Sequence, residues 1–176
     1  MRWWILDLDD TLAYTTRDMQ GEPLRLPELT LVPGAREFLN QTQVLGDRCV
    51  LVTVGEWTLQ MKKMQHLALT FSRYVILPNL VLEEEPTLFW SANPVFVKKA
   101  AFEQLKTEAG DAKVVVVGDR LDRDVAPGNI LGLTTVRMRL PDGKYSLLEP
   151  QSPEEVPDFT AANFFELMQL PIFTEQ

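Results

Sequence analysis

The chain has 176 residues, and hydrophobic side chains make up 45% of it, enough for the core of one ordinary domain. A formal net charge of −8 argues against nucleic acid and anionic membrane surfaces as partners. The only cysteine, Cys49, excludes an internal disulfide, and no apolar run is long enough for a transmembrane helix. Acidic residues interrupt the first apolar run too early for a secretory signal, so we expect a single cytoplasmic domain over residues 1–176.

Apolar runs and helical periodicities alternate along the chain. Short apolar runs bounded by turn residues predict strands at residues 3–8, 49–54, 74–77, 114–117 and 134–138. The intervening patterns predict helices at 35–42, from 57 onward, at 93–109 and at 164–170. The second helix is expected to bury Trp57, Met61 and Met64, and the third to begin at an Asn93 cap. This order is typical of a three-layer α/β sandwich with a mainly parallel, Rossmann-like sheet.

Polar side chains stand where three of these predicted strands end. Asp7 and Asp9 follow the first strand, Thr53 lies at the end of the second, and Asp119 follows the valine strand, with Asp124 close behind. Open parallel sheets bind ligands at the carboxyl ends of their strands. Convergent carboxylates need a hard cation, and Mg²⁺ favours a few carboxylates together with water and substrate phosphate. The sequence therefore predicts a Mg²⁺ site that holds a phosphate group.

A lysine near this site is expected to balance the charge of the phosphate. In the third helix, Phe102 and Leu105 mark an apolar face, and extending that face back by one turn reaches Lys98. Lys99 is rotated away from this line by about a quarter turn. We therefore predict that Lys98 faces the site, and Lys99 is the alternative if the helix begins after both lysines.

The segments "DLDDTL", "LVTVG" and "GDRLDRD", with a lysine ahead of an amphipathic helix, resemble the four motifs of the haloacid dehalogenase-like hydrolase superfamily, in that family's order. The resemblance implies a nucleophile at Asp7 and a general acid and base at Asp9. Dehalogenating relatives lack the second of these aspartates, so Asp9 favours phosphoryl chemistry. The resemblance further implies phosphate binding and metal binding by two sets of residues. These sets are Thr53, Val54 and Lys98 for phosphate, and Asp7, Asp9 (through its carbonyl oxygen), Asp119 and Asp124 for Mg²⁺.

These assignments imply a Mg²⁺-dependent phosphatase that hydrolyses a phosphate monoester through an aspartyl-phosphate. The spans between the motifs leave room for a minimal cap domain or none. An open site of that kind admits either a phosphorylated small molecule or a phosphoprotein as substrate. The sequence leaves open whether the chain forms a homo-oligomer. Asp122 is an extra carboxylate in the last motif, and Glu56 adds negative charge near the phosphate site.

Two other functions suit part of the same pattern. A receiver-like phospho-acceptor module also combines a phosphorylated aspartate with Mg²⁺, threonine and lysine. Its motifs come in a different order, with the lysine last, whereas here an acidic motif follows Lys98. The second alternative is a catalytically idle phosphate-binding or partner-binding protein on the same fold, which an open site and Glu56 would suit.

Overall fold

The computed structural model describes residues 1–78 and 96–175. Within them, six strands form one sheet in the order β5-β4-β1-β6-β7-β8, and every neighbouring pair is parallel. The strands of this sheet are β1 (Arg2–Leu6), β4 (Arg48–Val54), β5 (Arg73–Leu77), β6 (Lys113–Gly118), β7 (Thr134–Met138) and β8 (Phe159–Ala161). Two short strands, β2 (Ala13–Tyr14) and β3 (Thr30–Leu31), pair antiparallel outside it.

Helices cover both faces of the sheet. They are α1 (Ala35–Val44), α2 (Trp57–His66), α3 (Phe96–Ala109), α4 (Ala126–Ile130), α5 (Phe164–Leu167) and α6 (Pro171–Thr174). Alternate side chains of β1 point to opposite faces: Trp4 joins the core cluster that contains Phe38 of α1, and Trp3 joins the cluster that contains Phe102 of α3. The predicted parallel α/β sandwich is confirmed.

Several predicted details differ from the structure. Strand β8 and the β2–β3 pair were not predicted, because runs of two or three residues carry too little pattern to stand out. Two short helices replace the predicted helix 164–170. The first ends at Leu167, and the second begins at Pro171 with Leu170 as its N-cap. The Asn93 cap lies outside the described residues.

The predicted inner face of α2 is confirmed at Met64, which is buried, and at Met61, which packs against the core, but it is wrong at Trp57. Trp57 is 63% exposed, and the buried side chains of this helix are Gln60 and Met64. The carboxylate of Glu56 accepts hydrogen bonds from the backbone of Thr58 and caps the helix, so Trp57 is at its solvent-facing first position. A buried glutamine replaces the apolar residue that periodicity leads one to expect.

The spans between the motifs contain few additional elements. Between Asp9 and β4 lie the β2–β3 pair and α1, and between Thr53 and Lys98 the described residues form α2, β5 and the start of α3. No additional domain is present among the described residues of these spans. In the same parts of the chain, no helix has the length and apolar character needed to cross a bilayer.

Candidate active site

The carboxyl ends of β4, β1 and β6 meet at one edge of the sheet. Because β1 lies between the other two strands, Asp7 stands beside Asp119 on one side and near Thr53 on the other. The backbone N–H of Asp7 still donates to the carbonyl of Val117, at 3.0 Å, so the parallel pairing runs up to the motif. A cavity of about 540 Å³ opens at this edge and is lined by all three of these polar residues.

Three buried carboxylates form the floor of the cavity or lie beneath it, and we call Asp7, Asp119 and Asp124 the carboxylate cluster. One oxygen from each lies within 4.8 Å of the others. A π-helical turn, Leu121–Val125, brings Asp124 back under the sheet edge, where it accepts from the backbone N–H of Arg120 at 3.1 Å. A side chain at Gly118 would overlap the Asp124 carboxylate, so this approach requires glycine.

Lys98 is the one ammonium group that the described residues place in contact with this cluster. Its Nζ donates to Asp7 at 2.7 Å and to Asp124 at 2.6 Å, and the side chain is buried. Phe102 and Leu105 are buried on the same face of α3, as predicted from the periodicity. The contacts are made by Lys98 and not by its neighbour in the sequence.

Burial dominates the electrostatics of the cluster. It raises the pKa of Asp7 to about 7 against the lowering effect of Lys98, with further upward contributions from Asp124 and Asp9. Burial also raises the pKa of Asp119 well above its usual value, and Asp124 and Asp7 add to the effect. For Lys98, burial opposes the charge, but Asp124 and Asp7 outweigh it and raise the pKa. Three carboxylates around one ammonium fit a hard divalent cation such as Mg²⁺.

The carboxylate of Asp9 lines the same cavity, but its partners are on α2 and not in the carboxylate cluster. It accepts from Lys63 Nζ at 2.6 Å and from Gln60 Nε2 at 2.8 Å, both on α2. The same Gln60 nitrogen also lies 3.0 Å from Thr53 Oγ1 and 3.1 Å from the Val54 carbonyl oxygen. Gln60 thus joins the first motif to the second. Sequence reasoning missed Gln60 and Lys63, because nothing in the pattern of α2 marks two polar residues as inward-facing.

Asp10 serves the backbone of the following loop. It adopts a φ of +51°, and its carboxylate accepts from the backbone N–H groups of Thr15, at 2.9 Å, and Thr16, at 3.0 Å. Thr16 Oγ1 donates to it as well, at 2.7 Å. The three carboxylates of the first motif therefore go to the cavity floor, to α2 and to the loop, respectively.

The other two acidic residues noted in the sequence also have local partners. Asp122 pairs with the guanidinium of Arg120 through both carboxylate oxygens and does not belong to the carboxylate cluster. Glu56 is exposed and caps α2, accepting from the backbone of Thr58 and Leu59 at 2.9 Å each. These contacts explain both charges without a role in phosphate binding.

The family assignment follows from the fold, the motifs and a sequence comparison. Residues 92–167 match a family model described as HAD-hydrolase-like. The chain belongs to the haloacid dehalogenase-like hydrolase superfamily. Its parallel sheet, with the first acidic motif after β1 and the last after β6, is the arrangement that the motif order led us to expect.

Two named relatives and a solved structure are also similar to this chain. The chain is 33% identical to the glyceraldehyde 3-phosphate phosphatase of Methanopyrus kandleri over 78% of its own length and 55% of the relative's. It is 38% identical to the ribulose-1,5-bisphosphate 5-phosphatase of Halopiger xanaduensis over 63% and 43%. The chain thus spans about half the length of these curated relatives. The D,D-heptose 1,7-bisphosphate phosphatase of B. bronchiseptica, solved with magnesium and phosphate, shares the fold, with a TM-score of 0.63, 16% identity and coverage of 96% and 99%.

Proposed function

We propose that the protein is a Mg²⁺-dependent phosphatase that hydrolyses a phosphate monoester through an aspartyl-phosphate. The observation that carries the proposal is the buried carboxylate cluster, in which three acidic side chains share the single ammonium of Lys98. Such a cluster is costly to bury unless a cation binds it. The phosphatase names of the relatives support the same reaction.

The proposed metal site consists of Asp7, Asp119, Asp124 and the backbone carbonyl of Asp9. When bound there, Mg²⁺ would neutralise charge on the substrate phosphate and on the attacking carboxylate. These ligands are hard oxygen donors, which Mg²⁺ prefers. Asp122 is not part of the proposed set, because its carboxylate is paired with Arg120.

Two aspartates would perform the chemistry. An Asp7 oxygen attacks the phosphorus while the bond to the leaving oxygen breaks, and Asp9 gives that oxygen its proton. In the second step Asp9 takes a proton from water, and the resulting hydroxide attacks the phosphorus, which releases inorganic phosphate and restores Asp7. Contacts with Lys63 and Gln60 fix the Asp9 carboxylate in one orientation between these steps.

The phosphoryl oxygens would be held by Thr53, the backbone after it at Val54, and Lys98. Thr53 Oγ1 accepts a hydrogen bond from Gln60, so its own hydroxyl proton is left to donate to a phosphoryl oxygen. Lys98 supplies positive charge from below, where it already contacts the proposed nucleophile. Donors fixed before the substrate arrives stabilise developing charge without reorganisation.

Release of p-nitrophenol from p-nitrophenyl phosphate, with and without Mg²⁺, tests the proposal. We expect metal-dependent turnover that Asp7→Asn abolishes and that Asp111→Asn, an exposed aspartate before β6, leaves unchanged. A long-lived phosphoaspartate without turnover would instead indicate a receiver-like module. A folded chain that binds Mg²⁺ but never releases product would indicate the idle binding protein.

Three further sequence predictions stay predictions: a single domain over residues 1–176, a cytoplasmic location and a homo-oligomer. For the substrate, we favour a phosphorylated small molecule over a phosphoprotein. A cavity of about 540 Å³ lies within the range that encloses small ligands.

A further inference from the structure

The lining of the cavity carries more positive charge than the composition of the chain suggests. The chain has 25 acidic and 17 basic residues, excluding histidine, yet five cationic side chains line the cavity against four carboxylates. The cations are Lys63, Lys98, Arg120, Arg123 and Lys144, and the carboxylates are Asp7, Asp9, Asp10 and Asp119. Three of the cations have close carboxylate partners, since Lys63 pairs with Asp9, Lys98 with Asp7 and Arg120 with Asp122. Arg123 and Lys144 are the two lining cations for which the described residues provide no close carboxylate partner.

Arg123 has a buried donor without a hydrogen-bond partner. Its Nε is 4.0 Å from an Asp122 oxygen, which is too long for a hydrogen bond, and that oxygen already accepts from Arg120. No other acceptor among the described residues reaches this nitrogen. Leaving a buried donor unsatisfied is unfavourable, so the guanidinium of Arg123, a residue that lines the cavity, has hydrogen-bonding capacity that the described residues do not use.

Lys144 also lines the cavity without a carboxylate partner in the described parts of the chain. Its ammonium lies 5.1 Å from the centre of the Tyr145 ring, a contact that leaves its N–H donors available for an anion. The aliphatic part of the side chain crosses Gly21, where an added Cβ would approach Lys144 Cδ to 2.5 Å. The lysine is therefore packed between Tyr145 and the loop that contains Gly21.

The backbone that carries Lys144 is held in place by arginines of β7 and the segment after it. Arg137 donates to the carbonyl of Tyr145 and Arg139 to the carbonyl of Ser146, each at 2.7 Å. Arg120 donates to the Tyr145 hydroxyl at 2.9 Å and stacks on its ring at 4.4 Å. These bonds hold the backbone that directly follows Lys144, whose own side chain is exposed.

We propose that Arg123 and Lys144 bind a second anionic group, a carboxylate or a phosphate, of a small substrate whose other phosphate is hydrolysed at Asp7. The inference rests on the proposed function and specifies its substrate class. Part of the remaining lining is apolar, from Pro23, Leu24, Leu26, Leu29 and Leu59, and suits a short carbon skeleton between the two anionic groups, while Thr15 and Thr16 add hydroxyl groups.

Two matched substrate pairs test this subsite by phosphate release. 3-Phosphoglycerate has a carboxylate where glyceraldehyde 3-phosphate has an aldehyde. Ribulose 1,5-bisphosphate differs from ribulose 5-phosphate by a second phosphate group. We expect kcat/KM to be about tenfold higher for the doubly anionic member of at least one pair, which is the effect of one charged hydrogen bond. The pair that shows the preference identifies the anionic group. A ratio near one in both pairs would overturn the subsite while leaving the phosphatase intact.

Variants connect the preference to the named residues. Lys144→Gln and Arg123→Gln should each reduce the preference severalfold, mostly through KM. Lys113→Gln removes the same charge at the opposite end of β6 and should leave the preference unchanged. Equal loss in Lys113→Gln, or no loss in either cavity variant, would contradict the proposal.

Binding to an inactive variant separates this inference from the proposed function. Calorimetric titration of Asp7→Asn with the same four compounds measures affinity without turnover. A preference that disappears when Lys144→Gln is added supports the subsite even if the native protein hydrolyses none of them. Equal affinities within both pairs would overturn it, whatever the native protein hydrolyses.

Discussion

Strand β1 has a buried ionic cluster at each end, and the two differ in charge balance. At the amino end, Arg2 Nε pairs with Asp47 at 2.8 Å, and the Arg2 backbone N–H and Trp4 Nε1 donate to the same carboxylate. The Arg2 guanidinium also donates to the carbonyls of Ile172 and Phe173. One cation meets one anion there, and their hydrogen-bonding capacity is largely used.

At the carboxyl end of the same strand, the carboxylate cluster has three acidic side chains, and within the described residues Lys98 is the one cation in contact with it. Burial penalises each of these charges as it does at the amino end. A balanced cluster leaves no net charge for a ligand to neutralise, whereas an unbalanced one keeps an electrostatic deficit that a ligand can remove. The amino end of β1 is accordingly structural, and we expect the carboxyl end to respond to ions and substrates.

The largest expected difference between the two ends of β1 is seen with Asp7→Asn. This change should lower phosphate release by at least about 10³-fold, since it removes the proposed nucleophile. It should leave the melting temperature unchanged or higher, because repulsion from Asp119 and Asp124 is relieved and Lys98 keeps Asp124 as a partner. Thermal unfolding without metal, alongside the activity assay, measures both effects. A strongly destabilised variant would mean that this cluster, too, is structural.

Asp47→Asn should have the opposite effect. It leaves the buried guanidinium of Arg2 without its counter-charge, so we expect a loss of about 3–5 kcal/mol in the free energy of unfolding. Urea denaturation gives this value, and kcat at a permissive temperature should stay within about twofold of the native value, which is the range of a change that leaves the reacting groups in place. A large drop in kcat for the folded variant would break the proposed division between the two ends.

Magnesium should stabilise only through the carboxyl end. At a concentration about 100 times its dissociation constant, it should add about 2.7 kcal/mol to the free energy of unfolding, seen as a rise in melting temperature. Asp119→Asn should abolish this rise. Asp122→Asn is the matched control from the same motif and should retain it, because Asp122 pairs with Arg120. Loss of the rise in both variants would place Asp122 among the ligands.

The sequence was informative wherever a side chain's position depends on its own strand or helix. Asp7, Thr53 and Asp119 converge because strand ends in a parallel sheet share one edge, and Lys98 faces inward because of helical periodicity. The buried role of Gln60 could not be read in this way, since it depends on Asp9, 51 residues away in the chain.

Two of the three acidic residues of the last motif, Asp122 and Asp124, show a second limit of sequence reasoning. Spacing alone does not separate Asp122 from Asp124, because a π-helical turn decides which carboxylate turns under the sheet edge. Lys144 lies in a segment with neither strand nor helical periodicity, and hydrogen bonds from Arg137 and Arg139 to its neighbours' carbonyls determine its place. Contacts between distant segments leave no local pattern.

The smallest expected effect concerns the hydrogen bonds from α2 to Asp9. Among the described residues, the ionic cluster at the amino end of β1 has no contact of this kind. We infer that Lys63 and Gln60 are positioning residues that aim the Asp9 carboxylate at the leaving oxygen. Proton donation matters most for a poor leaving group. Lys63→Gln should therefore lower kcat/KM, which reports the steps up to loss of the leaving group, about tenfold on an alkyl phosphate, below the 10²–10⁴-fold effect of losing a general acid.

The same variant should change kcat/KM little on p-nitrophenyl phosphate, whose leaving group departs without a proton. Gln65→Leu, an exposed position on the same helix, should affect neither substrate, and the magnesium-induced rise in melting temperature should persist in both variants. A general loss of packing would lower both rates alike, so equal losses on the two substrates would show that α2 only supports the fold. Unequal losses would show that α2 positions Asp9 for acid–base chemistry, while the edge of the sheet positions Asp7 next to the phosphate.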